Sequence, residues 1–332
     1  MEDYPITLLE FEKRFATEEC RQYFFKLRWP EGFRCPSCDS QKAWLTERNL
    51  YHCGHCGTQT SLFSGTIFQD TKKPLQQWFN AIWHITNQKY GANALGLQRI
   101  LGFGSYRTSW ACLHKLRRAM VRPGRDRLNG IVEVDETFIG GEKSGKRGRG
   151  AAGKELVVIA AQKDGLKFGR IRLQRVPDAS GNSLKNVIKN NIEPGSIIQT
   201  YGWQGYNGID KLGYIHEVVR TESDVGDNLL PKAHLVASLL KRWLLGTYQG
   251  AARPVHLDYY LDEYTFRFNR RTSRFRGKLF YRLLQQAAET APITVKELHR
   301  QKSGPVAIEK PNKVEFAPGF GRSPIVDMPL LL

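Results

Sequence analysis

The chain has 332 residues, with 50 lysines and arginines against 32 aspartates and glutamates, and a formal net charge of +18 at pH 7. Its length is typical of two or three domains, and a hydrophobic content of 41% is enough for folded cores. Acidic residues follow Met1, and no apolar stretch of about 18 residues is present, so we expect no signal peptide, no membrane span and a cytoplasmic protein. The positive charge exceeds what solubility requires and predicts a nucleic-acid partner.

A cysteine motif follows a predicted amphipathic helix at residues 7–28. Four of the six cysteines form two C-x-x-C pairs, Cys35 with Cys38 and Cys53 with Cys56. Each pair suits a tight turn, and two facing turns supply four sulfurs in tetrahedral geometry. In a chain without an export signal, this spacing favours metal over disulfides. We therefore predict a structural zinc site, because four thiolates leave no position open for catalysis.

Residues 74–120 have helical spacing that is interrupted at residues 102–105. Two helices joined by a glycine-containing turn are typical of a helix-turn-helix, whose second helix enters the major groove. The alternative is a helical hairpin that packs on the rest of the protein. The residues predicted to contact DNA are Tyr106, Arg107, Lys115, Arg117 and Arg118.

After residue 124 the pattern changes to strands followed by helices, which is typical of an α/β or α+β domain. We predict strands at residues 131–139, 155–161, 170–176 and 196–200, and helices near residues 182–191, 231–246, 256–269 and 277–289. From residue 301 onward the chain is irregular, contains five prolines and is predicted to be disordered.

The strand at residues 131–139 carries acids in an apolar setting. Alternation places Glu133, Asp135 and Thr137 on one face. Buried carboxylates are unfavourable unless a cation neutralises them, and nucleases use such carboxylates to hold two Mg²⁺ ions. An edge strand with hydrated acids is the alternative.

The predicted helix at residues 231–246 is apolar around most of its circumference but carries one polar stripe. His234, Ser238 and Lys241 lie on the same side, because seven residues make nearly two turns. This stripe indicates a helix that faces a site. Alternatively, Lys241 extends to solvent and His234 is a buried histidine with its hydrogen bonds satisfied.

Two basic segments are candidates for holding a DNA backbone. One is the glycine-rich loop after residue 140, which could also be only a solvated hairpin tip. The other is residues 241–282, where ten basic residues stand against three acids. The residues predicted to contact DNA in these segments are Lys146, Arg147, Arg149, Arg270 and Arg271.

Together these motifs resemble the DDE transposases of the insertion sequence 1595 family, also called ISXO-type transposases, over roughly residues 8–298. The resemblance rests on several short sequences in a fixed order. They are RWPEGF (28–33), GTIF (65–68), VDETFIGG (134–141), GWQGY (202–206), SLLKRWLLGT (238–247), YLDEY (260–264) and FRFNRR (266–271).

The resemblance implies an α+β multidomain protein that ends in an RNase H-like mixed α/β catalytic core. With the patterns above, it predicts an N-terminal helix and zinc ribbon at residues 1–68, a helix-turn-helix-like region at 69–124, the RNase H-like core at 125–298 and a disordered tail at 299–332. In such a core the first acid lies on the first strand, the second lies at the end of the fourth strand, and the third active-site residue lies on a following helix.

The family's catalytic positions map onto this chain with one departure. Asp135 matches the first acid, and His234 with Lys241 matches the third position and the lysine seven residues later. Tyr201 stands where the family has aspartate. Because a tyrosine side chain is uncharged at neutral pH, its presence removes one of two acids that would hold divalent cations, at a cost of several powers of ten in rate.

The resemblance implies an insertion-sequence transposase in the bacterial cytoplasm, associated with the nucleoid. It would bind double-stranded DNA at terminal inverted repeats and at the target, cleave and join strands with magnesium or manganese at Asp135, and act as a homo-oligomer. His234 would ligate or orient the second metal ion or the nucleophile, and Lys241 would bind phosphate near the scissile bond. Two other hypotheses remain: a catalytically silent repressor or competitor at the same repeats, favoured by Tyr201, and a zinc-ribbon transcription factor unrelated to transposition.

Overall fold

The computed structural model describes residues 2–88, 90–122, 124–140, 154–219, 229–249 and 252–299. The predicted contacts Lys146, Arg147 and Arg149, and the tail from residue 300, lie outside these described residues. None of the described helices has the length and apolar character needed to cross a membrane.

Among the described residues, the N-terminal half contains five α-helices and a small sheet. Its elements are α1 (Leu8–Arg14), α2 (Thr17–Arg28), β1 (Ala43–Leu45), β2 (Leu50–Cys53), β3 (Gln59–Ser61), α3 (Leu75–Asn87), α4 (Ala94–Leu101) and α5 (Tyr106–Ala119). In the part of the C-terminal half that the structure describes, there are a larger sheet and five more α-helices. They are β4 (Ile131–Ile139), β5 (Glu155–Asp164), β6 (Lys167–Val176), α6 (Gly181–Asn191), β7 (Ile197–Thr200), β8 (Ile215–Val218), α7 (Pro231–Tyr248), α8 (Leu257–Phe268), α9 (Arg276–Glu289) and α10 (Val295–His299).

The single helix predicted at residues 7–28 is in fact two helices, α1 and α2. Thr7 and Glu10 form a capping box that starts α1, and the chain leaves helical geometry at Phe15. A second helix then begins after Ala16 with acids in its first turn, where the helix dipole favours negative charge. The break lets Phe15 enter the core, where its ring contacts Phe79 and Phe280.

A helical core brings together helices from both halves of the chain. Buried side chains of α2, α3 and α5 pack together, and α9 packs into the same core through Phe280, Leu283 and Leu284. The sequence patterns predict α9 as part of the catalytic domain at residues 125–298, but its apolar face is buried against the N-terminal helices. The sequence does not reveal this packing, because the spacing of apolar residues shows that a helix has an inner face but does not show which core that face enters.

The larger sheet is mixed and has the strand order β6-β5-β4-β7-β8. β4 is central, antiparallel to β5 and parallel to β7. Val132 and Val134 pack on the α6 side, whereas Glu133 and Asp135 contact α7 on the opposite side. The predicted strand at residues 131–139 is confirmed, while β8 was not predicted because this four-residue edge strand has no alternation of buried and exposed side chains.

The 18-residue helix α7 connects the sheet to the helical region. At 1.5 Å per residue it spans about 27 Å. Its first turn lies against β4, and its last turns pack on the loop that leads into α4. Gly91 permits this close contact, because a Cβ atom there would lie 2.7 Å from the Trp243 ring and 2.8 Å from the Thr247 methyl group.

Candidate functional site

The four ribbon cysteines converge as their spacing predicts. The Sγ atoms of Cys35 and Cys56 are 3.5 Å apart, those of Cys38 and Cys53 are 3.6 Å apart, and all four lie within 4.8 Å of one another. Four sulfurs at 2.3 Å from a tetrahedral zinc ion would be about 3.8 Å apart, so the donor set fits zinc. This cluster supports a structural zinc site.

The turn around the second cysteine pair favours thiolates. Hydrogen bonds with Thr58 lower the pKa of Cys56 to about 6, and backbone N–H groups of Cys56 and His55 lower the pKa of Cys53. Gly57 has a φ of +73°, a left-handed conformation that glycine adopts without strain. Because zinc binds the deprotonated sulfur, this turn is suited to the metal in both shape and electrostatics.

Asp135, Tyr201 and His234 come together on the α7 side of the larger sheet, beside the end of β7. Nε2 of His234 lies 3.3 Å from Oδ2 of Asp135. Tyr201 follows β7 directly, and its ring stacks on that of His234 with 5.5 Å between centroids and 25° between planes. The Tyr201 hydroxyl accepts a hydrogen bond from the Leu230 backbone N–H at 3.3 Å, just before α7. Strand, loop and helix therefore bring three distant residues into one cluster.

This cluster does not fit a pair of magnesium ions. It offers the carboxylate of Asp135 and the imidazole of His234, whereas two-metal centres need oxygen ligands for both ions. The phenol oxygen of Tyr201 is engaged with Leu230. Within the part of the chain that the structure describes, the ribbon cysteines are the one group of three or more Cys, His, Asp or Glu side chains close enough to share a metal.

Lys241 occupies the predicted position on α7. It is exposed, as is Ser238, and His234 is half-buried on the same helix. The polar stripe on α7 thus begins at His234, beside Asp135, and its later residues Ser238 and Lys241 face solvent.

The start of α5 is open to solvent. Tyr106 is 55% exposed and Arg107 is exposed, while the Ser105 hydroxyl accepts a hydrogen bond from the Thr108 N–H and caps the helix. α4 ends at Gly102, whose positive φ of 62° makes the turn into α5. The two helices are therefore joined by a short turn, and the N-terminus of the second helix is accessible.

Arg117 is a correction to the predicted DNA contacts. It is 2% exposed, and its Nε atom lies 2.8 Å from Oε2 of Glu263 on α8. Its guanidinium also donates to the Ala92 carbonyl and the Tyr248 hydroxyl, both at 2.9 Å. Arg117 therefore fixes α5 to the C-terminal half and is not available to a phosphate. Its partner is 146 residues away, which is why the local sequence does not reveal it.

The other predicted basic contacts are partly engaged with the protein. Lys115 is half-buried and donates to the Ile67 carbonyl at 3.4 Å, and Arg118 is half-buried. Arg270 lies over the Phe266 ring at 4.1 Å. Arg271 is exposed, lies over the ring of Phe268 at 4.3 Å and donates to the Phe168 carbonyl at 2.8 Å.

Comparisons with known proteins agree in two regions of the chain. The ISXO2-like transposase domain family matches residues 127–269, and the transposase zinc-ribbon domain family matches residues 17–59. A relative from Halobacterium salinarum, described as an uncharacterized protein in transposable element ISH50, is 24% identical over 261 residues, which cover 72% of this chain and 85% of the relative.

One similar solved structure is the cryoEM structure of the simian T-cell lymphotropic virus intasome in complex with PP2A regulatory subunit B56 gamma. The match has 12% sequence identity and covers 74% of this chain and 84% of that chain, with a TM-score of 0.29. This TM-score is too low to indicate a shared fold.

Proposed function

Because the chain belongs to the IS1595 family of transposases, we propose that it binds the terminal inverted repeats of an insertion sequence and that Tyr201 blocks its DNA cleavage and strand transfer. In this form the protein would occupy the repeats as a repressor or competitor. Replacement of Tyr201 by aspartate would restore a metal-dependent transposase that acts as a homo-oligomer on double-stranded DNA.

The order of the larger sheet supports an RNase H-like core. Numbered along the chain, its strands lie in the order 3-2-1-4-5. Strand 2 is antiparallel to strands 1 and 3, and strands 4 and 5 are parallel to strand 1. Asp135 is on the first strand, Tyr201 follows the fourth, and His234 is on a later helix. These are the places that the family's three catalytic residues would take.

The proposal depends most on one observation, the contact of Tyr201 with His234 beside Asp135. Phosphoryl transfer requires charge neutralisation at both the attacking and the leaving oxygen. A carboxylate at position 201 would supply ligands on the second side of the cluster. The aromatic ring supplies none, and its hydroxyl is engaged with Leu230. Asp135 and His234 are thus held in place without the third ligand.

DNA binding is supported by different residues. The exposed start of α5 with Tyr106 and Arg107 is the surface that would enter a major groove, and the ribbon lies in the same N-terminal half. The net charge of +18 supports attraction to the phosphate backbone. Neither feature includes the Tyr201 cluster, so DNA binding and catalysis can be lost separately.

A strand-transfer assay tests the catalytic part. The substrate is double-stranded DNA carrying the sequences that flank the gene, with Mg²⁺ or Mn²⁺ added. We expect background activity from the wild type and an increase of at least about 100-fold from Tyr201→Asp. Tyr201→Asn, similar in size but uncharged, is the matched control and should remain at background. Wild-type activity that equals that of Tyr201→Asp would refute the block.

DNA binding is tested by its salt dependence. Affinity for the same DNA should fall steeply between about 50 and 200 mM salt, because bound phosphates release counterions. Arg107→Ala should reduce the slope by about one unit. Lys189→Ala removes an exposed charge from α6, far along the chain from α5, and should not change the slope. A wild-type affinity that is flat over this range would contradict phosphate contacts.

A further inference from the structure

We infer that Glu133 is a positioning residue whose carboxylate joins the strand that carries Asp135 to the first turn of the helix that carries His234. Its importance for catalysis rests on the proposed function. The connection that it makes between β4 and α7 does not, and can be measured separately.

The carboxylate of Glu133 caps α7 from another element. The side chain is fully buried, and Oε2 accepts hydrogen bonds from the backbone N–H groups of Lys232 at 2.8 Å and Ala233 at 2.9 Å. These are among the N–H groups that a helix leaves without partners at its start. Leu230, at the N-cap position, provides no side-chain hydrogen bond. Glu133 therefore does for α7 what serine or aspartate does at an ordinary N-cap.

The burial of this carboxylate is compensated on its other side. Nζ of Lys163 on β5 lies 3.4 Å from Oε1 of Glu133 and donates to Oε1 of Gln199 on β7 at 2.7 Å. Gln199 is the register partner of Glu133 across β4 and β7. The N-terminal end of a helix also favours an anion. Glu133 is thus engaged by a cation and two backbone donors, and it cannot replace the carboxylate absent at position 201 without releasing α7.

Two contacts from the sheet therefore hold the same helix start. Glu133 accepts from Lys232 and Ala233, and the Tyr201 hydroxyl accepts from Leu230. His234 is the next residue after Ala233, so its ring is placed over Asp135 and against Tyr201 by these bonds. Without Glu133 the first turn of α7 could shift relative to β4, and a displacement of 1 Å in a catalytic group can cost about 100-fold in rate.

The ring protons of His234 provide a direct measurement. Stacking on Tyr201 changes their NMR chemical shifts through the ring current. The size of this ring-current shift is the difference in chemical shift between wild type and Tyr201→Leu. We expect Glu133→Ala to lose more than half of that shift, and Glu133→Gln to keep more than half, since the amide oxygen still accepts from both N–H groups. Ile188→Ala, a cavity variant on α6 that lowers stability without contacting α7, should leave the shift unchanged. An unchanged shift in Glu133→Ala would overturn the inference.

The wild-type protein provides a second test that does not depend on a variant folding. Because Glu133 accepts from them, the amides of Lys232 and Ala233 should exchange with solvent deuterium at least about tenfold more slowly than the amides of Arg276 and Gly277 in the first turn of α9. α9 is a suitable reference because its N-cap has no side-chain hydrogen bond. Equal exchange in the two helices would refute the cap.

The catalytic consequence is tested in the Tyr201→Asp background. There, Glu133→Ala should reduce strand transfer by about 100-fold while DNA affinity changes less than about twofold. A full rate in that double variant would contradict the role in catalysis. If Tyr201→Asp alone has no activity, the proposed function fails, while the spectroscopic and exchange results still decide whether Glu133 positions α7.

Discussion

The zinc ribbon and the cluster around Asp135 differ in what the loss of one residue does. The ribbon offers four identical ligands within residues 35–56, and a zinc ion bound to them would hold its short strands together. The other cluster collects residues from position 135 to position 234, and a large sheet with helices on both faces holds them. A structural metal site is part of the folding energy, whereas a reaction centre on a rigid scaffold can lose a ligand and stay folded.

The largest effect is expected at the ribbon. Cys38→Ser should abolish zinc binding and unfold β1–β3, because zinc contributes about 10–16 kcal/mol to comparable small sites. Zinc content and the amide signals of residues 35–61 measure this loss. Cys20→Ala, which changes a buried cysteine outside the cluster, should keep one zinc per chain. A ribbon that stays folded without zinc in Cys38→Ser would show that its fold does not depend on the metal.

A smaller effect is expected at the buried ion pair that joins the two halves. Glu263→Leu should lower the free energy of unfolding by about 3–5 kcal/mol, because it leaves the Arg117 charge buried without its carboxylate. Urea denaturation measures this change. The double variant Arg117→Met with Glu263→Leu should recover much of the loss, since the unpaired Arg117 charge is removed and Arg267 keeps its hydrogen bonds to the Gln88 and Ile85 carbonyls. Equal stability of wild type and Glu263→Leu would show that the pair does not hold the halves together.

The substitution that restores a ligand should itself be destabilising. Tyr201→Asp removes the ring that stacks on His234 and the hydroxyl that accepts from Leu230, and should cost about 1–3 kcal/mol. Tyr201→Phe loses only the hydrogen bond and should cost about 1 kcal/mol. Thermal unfolding measures both. If Tyr201→Asp is more stable than wild type, the aromatic ring does not stabilise the cluster and the contrast with the ribbon is lost.

A further effect is a dependence of stability on pH at Asp262, on α8. Burial raises the pKa of this carboxyl to about 7. The folded state therefore holds its proton over a range in which the unfolded state, with a pKa of about 3.9, has released it. Stability from this group should fall as pH rises from about 4 to 7 and then stay constant.

Asp262→Asn removes that dependence. The variant should gain stability over wild type at pH 8 but not at pH 4, as measured by the unfolding temperature at both values. Asp210→Asn, at an exposed position, is the control and should follow the wild type at both values. The absence of any gain at pH 8 would contradict the raised pKa.

The sequence was sufficient for features encoded by local spacing. The C-x-x-C pairs predicted the ribbon, alternation predicted β4, and the spacing of His234 and Lys241 predicted the polar stripe on α7. The break between α1 and α2 also has a local signal, the acids at residues 18 and 19, which favour a new helix start.

The remaining features depend on partners that are remote in the chain. Arg117 and Arg118 are adjacent and both basic, yet Arg117 alone meets Glu263 in the interior. Glu133 is a carboxylate in an apolar strand, and only the position of α7, about 100 residues later, distinguishes a helix cap from a metal ligand. Periodicity identifies an inner face of an element but not the element that covers it.

The intact surroundings of Tyr201 have a genetic consequence. Tyrosine and aspartate codons differ only in their first base, so one transversion would place a carboxylate beside Asp135 and His234. Neither of those side chains would need a new position, since β4 and α7 already hold them 3.3 Å apart. Under the proposed block by Tyr201 the gene would be dormant, and a single replication error would be enough to produce a revertant.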